Sequence, residues 1–319
     1  MGSRRFRQVL GFVVVGLVAA CGGSKDSVNA KSAESQAIDA DPLALLPSSA
    51  MAIARVDAKQ MFQSGSVGGQ LAQMAERMLP VGEEAGFKAS RDLETIYAAG
   101  YSTTGADVVA ILRGTFDEQK IKSVADQHTP TKGGGVLVAS SYLGRQVYTL
   151  NNVGFTVISK QTVVAGGEAM IRRVIERLKD GNVTRAQVPW MTQTIETPNA
   201  AFAAAADFAN QPIAAASVGM VPLSWVKGMK AARLVGNFKD PGLNVAATLT
   251  YPDKASAADA SEQVKRTAGM ASLLQFIGAP QLKNLDVKAV ETDVQVSFGV
   301  DDTQLKTFLV TAQQYMAPH

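Results

Sequence analysis

Serine-based nucleophilic catalysis needs a base beside the hydroxyl, most often histidine, and this chain offers only His128 and His319. His128 stands in a stretch rich in Gly, Pro and Thr, and His319 is the last residue, so a histidine-based triad is not expected. Ser224-Trp225-Val226-Lys227 has the S-x-x-K spacing that sets a lysine amine one helical turn from a serine hydroxyl. Enzymes of that kind also need S-D-N-like and K-T-G-like elements, which the folded body lacks, so a helix-surface serine and lysine is the expectation. Gly166-Gly167, between a strand and a helix, could hold a phosphate on backbone amides. Neither G-x-G-x-x-G nor G-x-x-x-x-G-K-[ST] is present, however, and Glu168 would repel an anion, so a tight turn is expected there. Metal chemistry has little to build on: Cys21 is the single cysteine, and Asp240, Asp253, Asp301 and Asp302 lack calcium-loop spacing. Glu83-Glu84 and Asp301-Asp302 read as solvated or capping pairs, and Trp190 and Trp225 as core or as the lining of an apolar groove. The residues therefore point to no catalytic residue, no metal, no cofactor and no enzyme.

The elements that carry these residues read as a large α+β body. A chain of 319 residues with 46% hydrophobic content can bury a full core. Arg4, Arg5 and Arg7 are the basic residues of the first 20, which hold no acid; the rest has 31 − 3 = 28 basic residues against 28 acidic ones. That balance makes nucleic acid a poor partner, and the composition excludes collagen, coiled coil, wholesale disorder and a multi-span membrane protein. Residues 50–57 alternate as a strand, and 70–79 carry apolar residues at helical spacing up to Pro80. A strand over 108–112 leads to a helix opened by Asp117. Strands follow over 146–150, 153–159 and 162–165, then a helix with Met170, Ile171, Val174, Ile175 and Leu178 on one side, ended by Gly181. Further on come a small-residue strand at 201–207, a short helix at 223–230, a strand at 243–251 and a helix near 255–274. Strands at 285–290 and 294–300 precede a last helix, with Asp301 and Gln304 spaced as a capping box.

The order repeats. Strand 106–112 and its helix match strand 243–251 and its helix, and strands 146–159 with helix 168–179 match strands 285–300 with helix 303–316. The expected fold class is α+β, two related units of antiparallel sheet with helices packed on one face. The units cover residues 42–190 and 191–319, with the boundary near Pro189–Ala200.

Met1–Gln8 is basic and Val9–Ala20 is an uncharged run of 12 residues, too short to cross roughly 30 Å of hydrocarbon and the right length for a signal-peptide core. It exits through Val18-Ala19-Ala20-Cys21, which resembles the lipobox of bacterial lipoproteins. That resemblance implies cleavage between Ala20 and Cys21, removal of residues 1–20, and acylation of Cys21, which anchors the chain in a membrane. Gly22 in place of aspartate implies the outer rather than the inner membrane of the cell envelope. Residues 22–41 have no aromatic residue and only Val28 and Ile38 as large aliphatics, so 21–41 reads as a lipidated cysteine on a flexible tether. The body resembles a family of uncharacterised exported bacterial proteins built from tandem α+β units. The resemblance spans roughly residues 42–180 and is carried by Leu46-Pro47-Ser48-Ser49-Ala50 and by the strand-Gly-Gly-helix run Val163–Leu178. It implies export and repeat architecture and no site residues.

Two functional expectations follow. The first is a non-enzymatic, lipid-anchored interaction or structural module with an envelope protein as partner. The alternative is a periplasmic carrier of an apolar ligand such as a lipid, held by a curved sheet and lined by Met61, Met74, Met78, Met170, Met229 and Met270.

Overall fold

The computed structural model describes residues 34–316 other than 66, 80, 103–106, 133, 151, 214–216, 219–220, 240–241 and 274–280. The chain divides into two compact units, Met1–Asp41 and Pro42–His319. In the first, residues 34–40 are helical within the stretch read as tether, as its alanine, glutamate and glutamine content favours.

In the second unit a 3-10 turn, Pro42–Leu45, precedes β1 (Ala52–Asp57), α1 (Ala58–Phe62), α2 (Gly68–Met78), α3 (Ala89–Asp92), β2 (Leu93–Gly100) and β3 (Val108–Gly114). Then come α4 (Glu118–Gln127), β4 (Val138–Tyr142), β5 (Arg145–Leu150), β6 (Val153–Val157), β7 (Thr162–Gly166) and α5 (Glu168–Lys179). The later part holds α6 (Pro189–Ile195), β8 (Phe202–Asp207), a small hairpin of β9 (Ser217–Val218) and β10 (Val221–Pro222), and a 3-10 turn at Ser224–Val226. It ends with β11 (Ala231–Lys239), β12 (Gly242–Thr250), α7 (Lys254–Leu273), β13 (Lys283–Val290), β14 (Asp293–Asp301) and α8 (Asp302–Met316).

Twelve strands make one antiparallel sheet in the order β13-β14-β12-β11-β8-β1-β2-β3-β7-β6-β5-β4. β1 and β8 are adjacent at its middle, and the run β1-β2-β3-β7-β6 on one side has the same connectivity as β8-β11-β12-β14-β13 on the other. α4 follows β3 as α7 follows β12, and α5 follows β7 as α8 follows β14. The counterparts of β13 and β14 are thus β6 and β7, one strand later than the match of 146–159 with 285–300, because β4 and β5 are additions to the first repeat.

Local chemistry explains the boundaries. The Asp117 carboxylate accepts hydrogen bonds from the backbone N–H groups of Gln119 and Lys120, each at 3.1 Å, and so caps α4. Pro189 opens α6, where its missing N–H costs nothing. The short helix expected over 223–230 is only a 3-10 turn, since β11 begins at Ala231 and draws the chain into the sheet. Gln304 accepts from the backbone N–H of Gln281 at 2.7 Å, and Asp301 pairs with Lys283, so the expected capping box is replaced by ties to neighbouring segments.

The two faces of the sheet are covered differently. On one, Ile53, Ala99, Val109, Ile111, Ala203 and Ala205 are at most 2% exposed. α5, α6 and the first 3-10 turn lie over it, bringing Leu43, Leu45, Met191 and Ile195. On the other, α4 packs Ile121 and Val124 on Tyr148, Phe155 and Val163. α7 packs Ala257 and Ala260 on Leu249, Val287 and Val294. α8 and α2 bring Leu305, Leu309, Leu71 and Met74 to Val300, Leu243 and Phe298. These helices cover the flanks of that face and leave its centre open.

Candidate functional site: an alanine floor at the centre of the sheet

Strand register sets three rows of side chains across the open centre. The middle row runs Ala247-Leu234-Ala204-Ala54-Ala98-Ala110-Ala165 over β12, β11, β8, β1, β2, β3 and β7. Beside it lies Ala232-Ala206-Ala52-Gly100-Val108, again almost all small. The third row, Gly236-Phe202-Val56-Ile96-Leu112-Val163, is bulky and stands up as a wall. Every residue named is apolar, although half-buried rather than covered for most of the first two rows.

The result is an open trough of about 380 Å³ floored by β11, β8, β1, β2 and β3. Five strands at about 4.8 Å spacing give it a length of roughly 19 Å. The backbone N–H and C=O groups of the floor are used in the ladder, and the side chains carry no donor or acceptor. Nothing on the floor can orient a polar ligand. Alanine also loses no rotamer freedom on contact, so the floor is rigid before anything meets it. Ala165, at the end of the middle row, also lines a smaller cavity of about 70 Å³ with Phe87, Phe116, Ile121, Phe155 and Val163, beneath α4.

The residues singled out for chemistry are dispersed. Ala20, Cys21 and Asp240 lie outside the described residues. His128 ends α4 in the left-handed conformation (φ 52°), its Nδ1 at 2.8 Å from the Asp126 carbonyl, and is exposed. Ser224 and Lys227 share a 3-10 turn in which the Lys227 N–H donates to the Ser224 carbonyl at 3.2 Å. Gly166 is a close-approach position, since a Cβ there would stand 2.5 Å from the Val108 carbonyl oxygen. The Gly167 carbonyl accepts from Met170 and Ile171 as α5 starts. Glu83 is paired with Lys132, whose ammonium holds its carboxyl below the usual range; Glu84 accepts from the Lys132 N–H at 3.3 Å. Asp253 caps α7 by accepting from the Ser256 N–H at 2.8 Å, which lowers its pKa. Among the described residues no three His, Cys, Asp or Glu side chains converge as a metal site, and no helix is long and apolar enough to cross a membrane.

Trp190 lies on α6, with the Arg233 guanidinium 5.0 Å from its ring centroid, on the packed side of the sheet. Trp225 packs with Leu223 on the cluster under α7, and its carbonyl accepts from the Tyr251 hydroxyl at 2.5 Å. Burial pushes the Tyr251 phenol up to about 12 and raises that of Tyr101, whose hydroxyl donates to the Pro47 carbonyl at 2.9 Å. The methionine lining expected for a groove is not what is found. Met170 and Met229 are buried in the core and Met74 packs under α8, while the side chains of Met78 and Met270 lie outside the described residues. The floor is alanine, a residue that sequence patterning treats as neutral.

Fold and site thus define a class: an α+β protein whose twelve-stranded antiparallel sheet, built from two like-connected halves, keeps one apolar centre uncovered. Solved structures share this fold. Crystal form I of TP0453, a Treponema protein, matches with a TM-score of 0.50 at 11% identity, covering 85% of this chain and 97% of that one. Crystal form III of the same protein matches with a TM-score of 0.51 at 10% identity, covering 85% and 98%. At such identities the likeness shows the fold alone. No family model matches the chain, and no curated protein matches it by sequence.

Proposed function

We propose that this chain is a lipid-anchored, non-enzymatic protein of the bacterial cell envelope whose body holds one hydrocarbon chain of a lipid against the alanine floor. The observation that carries the reading is the uncovered row Leu234-Ala204-Ala54-Ala98-Ala110, apolar across five strands with no polar group aimed into it. A bilayer core is about 30 Å thick, so one acyl chain spans about 15 Å, which a trough of roughly 19 Å accommodates lying across the strands. Ligand sites of about 300 Å³ and more are of ordinary size. Burying apolar surface at roughly 25 cal/mol per Å² gives such a chain its drive to leave water.

The anchor rests on Val18-Ala19-Ala20-Cys21, with cleavage between Ala20 and Cys21 and the lipid on Cys21; Gly22 favours the outer membrane. A chain changed at Cys21→Ala leaves the membrane fraction if the thiol carries the anchor, and stays there if it does not. For the body, a fluorescent fatty acid titrated into the protein is expected to gain intensity saturably. The substitution Ala204→Phe, which fills the middle row, is expected to abolish that gain while the thermal melt is retained. A gain unchanged by Ala204→Phe would contradict the assignment.

A further inference from the structure

The two edges of the sheet are unlike. β13 carries Lys283, Asp286 and Lys288, the charged pattern that keeps an edge from pairing. β4 ends the other side with Val-Ala-Ser-Ser-Tyr, which has no charge; its first four residues are exposed, Val138 at 57%. Leu143 and Gly144, at φ 49° and 81°, form the two-residue turn that joins β4 to β5. Beside such a turn Tyr142 and Arg145 exchange both backbone bonds. Alternation then aims the N–H and C=O groups of Val138 and Ser140 at β5, and those of Ala139 and Ser141 outward.

This strand is complementary to itself. An antiparallel copy about a twofold axis through Ser140 sets Ser140 against Ser140, Ala139 against Ser141 and Val138 against Tyr142. Ala139 and Ser141 then exchange their outward N–H and C=O bonds with the copy. Val138 meets a Tyr142 ring that already packs on Val147, Ile171 and Ile175 and has the Arg172 guanidinium 4.8 Å from its centroid. A β-branched residue against an aromatic is a favourable cross-strand pair. We propose that β4 is the surface through which two copies of this chain join edge to edge as a closed dimer, the charged β13 edge preventing further growth. This proposal does not depend on what fills the trough.

Ser140 at the axis would form a non-hydrogen-bonded pair, whose Cβ atoms lie about 4.5 Å apart, close to what a disulfide needs. The test is the full chain carrying Ser140→Cys, oxidised and run on a non-reducing gel, with the parent chain setting the background from Cys21. The expected result is a disulfide dimer for Ser140→Cys and only background for Asp286→Cys on the opposite edge. Adding Ala139→Pro to Ser140→Cys removes an outward N–H that β5 does not use, and is expected to return the dimer band to background with the melting curve preserved. The proposal is overturned if Ser140→Cys gives no dimer while melting as the parent does. It is also overturned if Asp286→Cys crosslinks equally, if Ala139→Pro leaves the band unchanged, or if the crosslinked mass is that of another protein.

Discussion

The ring of Phe202 lies directly over Gly236: a Cβ added at position 236 would stand 2.1 Å from the ring Cζ. The two residues are cross-strand partners on β8 and β11, so the missing side chain of one makes room for the other. Phe202 thereby stands in the bulky row that walls the alanine floor. Gly236→Ala is expected to displace the ring and destabilise the fold by about 1–3 kcal/mol, as overpacking does. Chemical denaturation measures it, and an unchanged midpoint would show that the ring moves aside freely.

Tyr148 is fully buried on Phe155, with ring centroids 5.3 Å apart, and its hydroxyl has no hydrogen-bond partner among the described residues. A buried, unmade hydrogen bond costs about 1–3 kcal/mol, so removing the oxygen relieves a penalty. Tyr148→Phe is expected to raise the denaturation midpoint. A lower midpoint would reveal a partner for the hydroxyl.

Alkaline pH is expected to destabilise the folded body. Burial raises the phenols of Tyr251, to about 12, and Tyr101 above their ordinary value near 10. A raised folded-state pKa means that the unfolded chain ionises first. Stability is therefore intact below about pH 10 and falls as pH climbs towards 12. Melting temperatures followed over that window are expected to fall, and to fall less steeply for Tyr251→Phe, which cannot ionise.

Met191 and Ile195 hold α6 on the packed face of the sheet and are fully buried. Either one changed to Ala is expected to cost about 2–5 kcal/mol by opening a cavity. The same variants leave the opposite, open face untouched, so acyl-probe binding measured under native conditions should be unchanged. Lost binding at retained fold would mean that the two faces are coupled.

What the sequence discloses, and what it withholds, follows from how each signal is made. β14 is legible because one side of it alone is buried, giving Val294, Val296, Phe298 and Val300 at every second position. α5 is legible because Met170, Ile171, Val174, Ile175 and Leu178 keep a single helical stripe. β2 is not, since covering on one face and half-covering on the other leave Ile96-Tyr97-Ala98-Ala99 without alternation. β11 is broken for the reader by Gly236, whose reason lies on another strand. The middle row draws single alanines from six strands between Ala54 and Ala247, with Leu234 from a seventh, and only the register assembles them.

Native mass spectrometry of residues 42–319, purified from the bacterial envelope, tests the central claim most directly. The account predicts a reproducible added mass of lipid size on the parent body and its loss from Ala204→Phe at an unchanged fold. A bare mass for the parent, or the same added mass on Ala204→Phe, would contradict it.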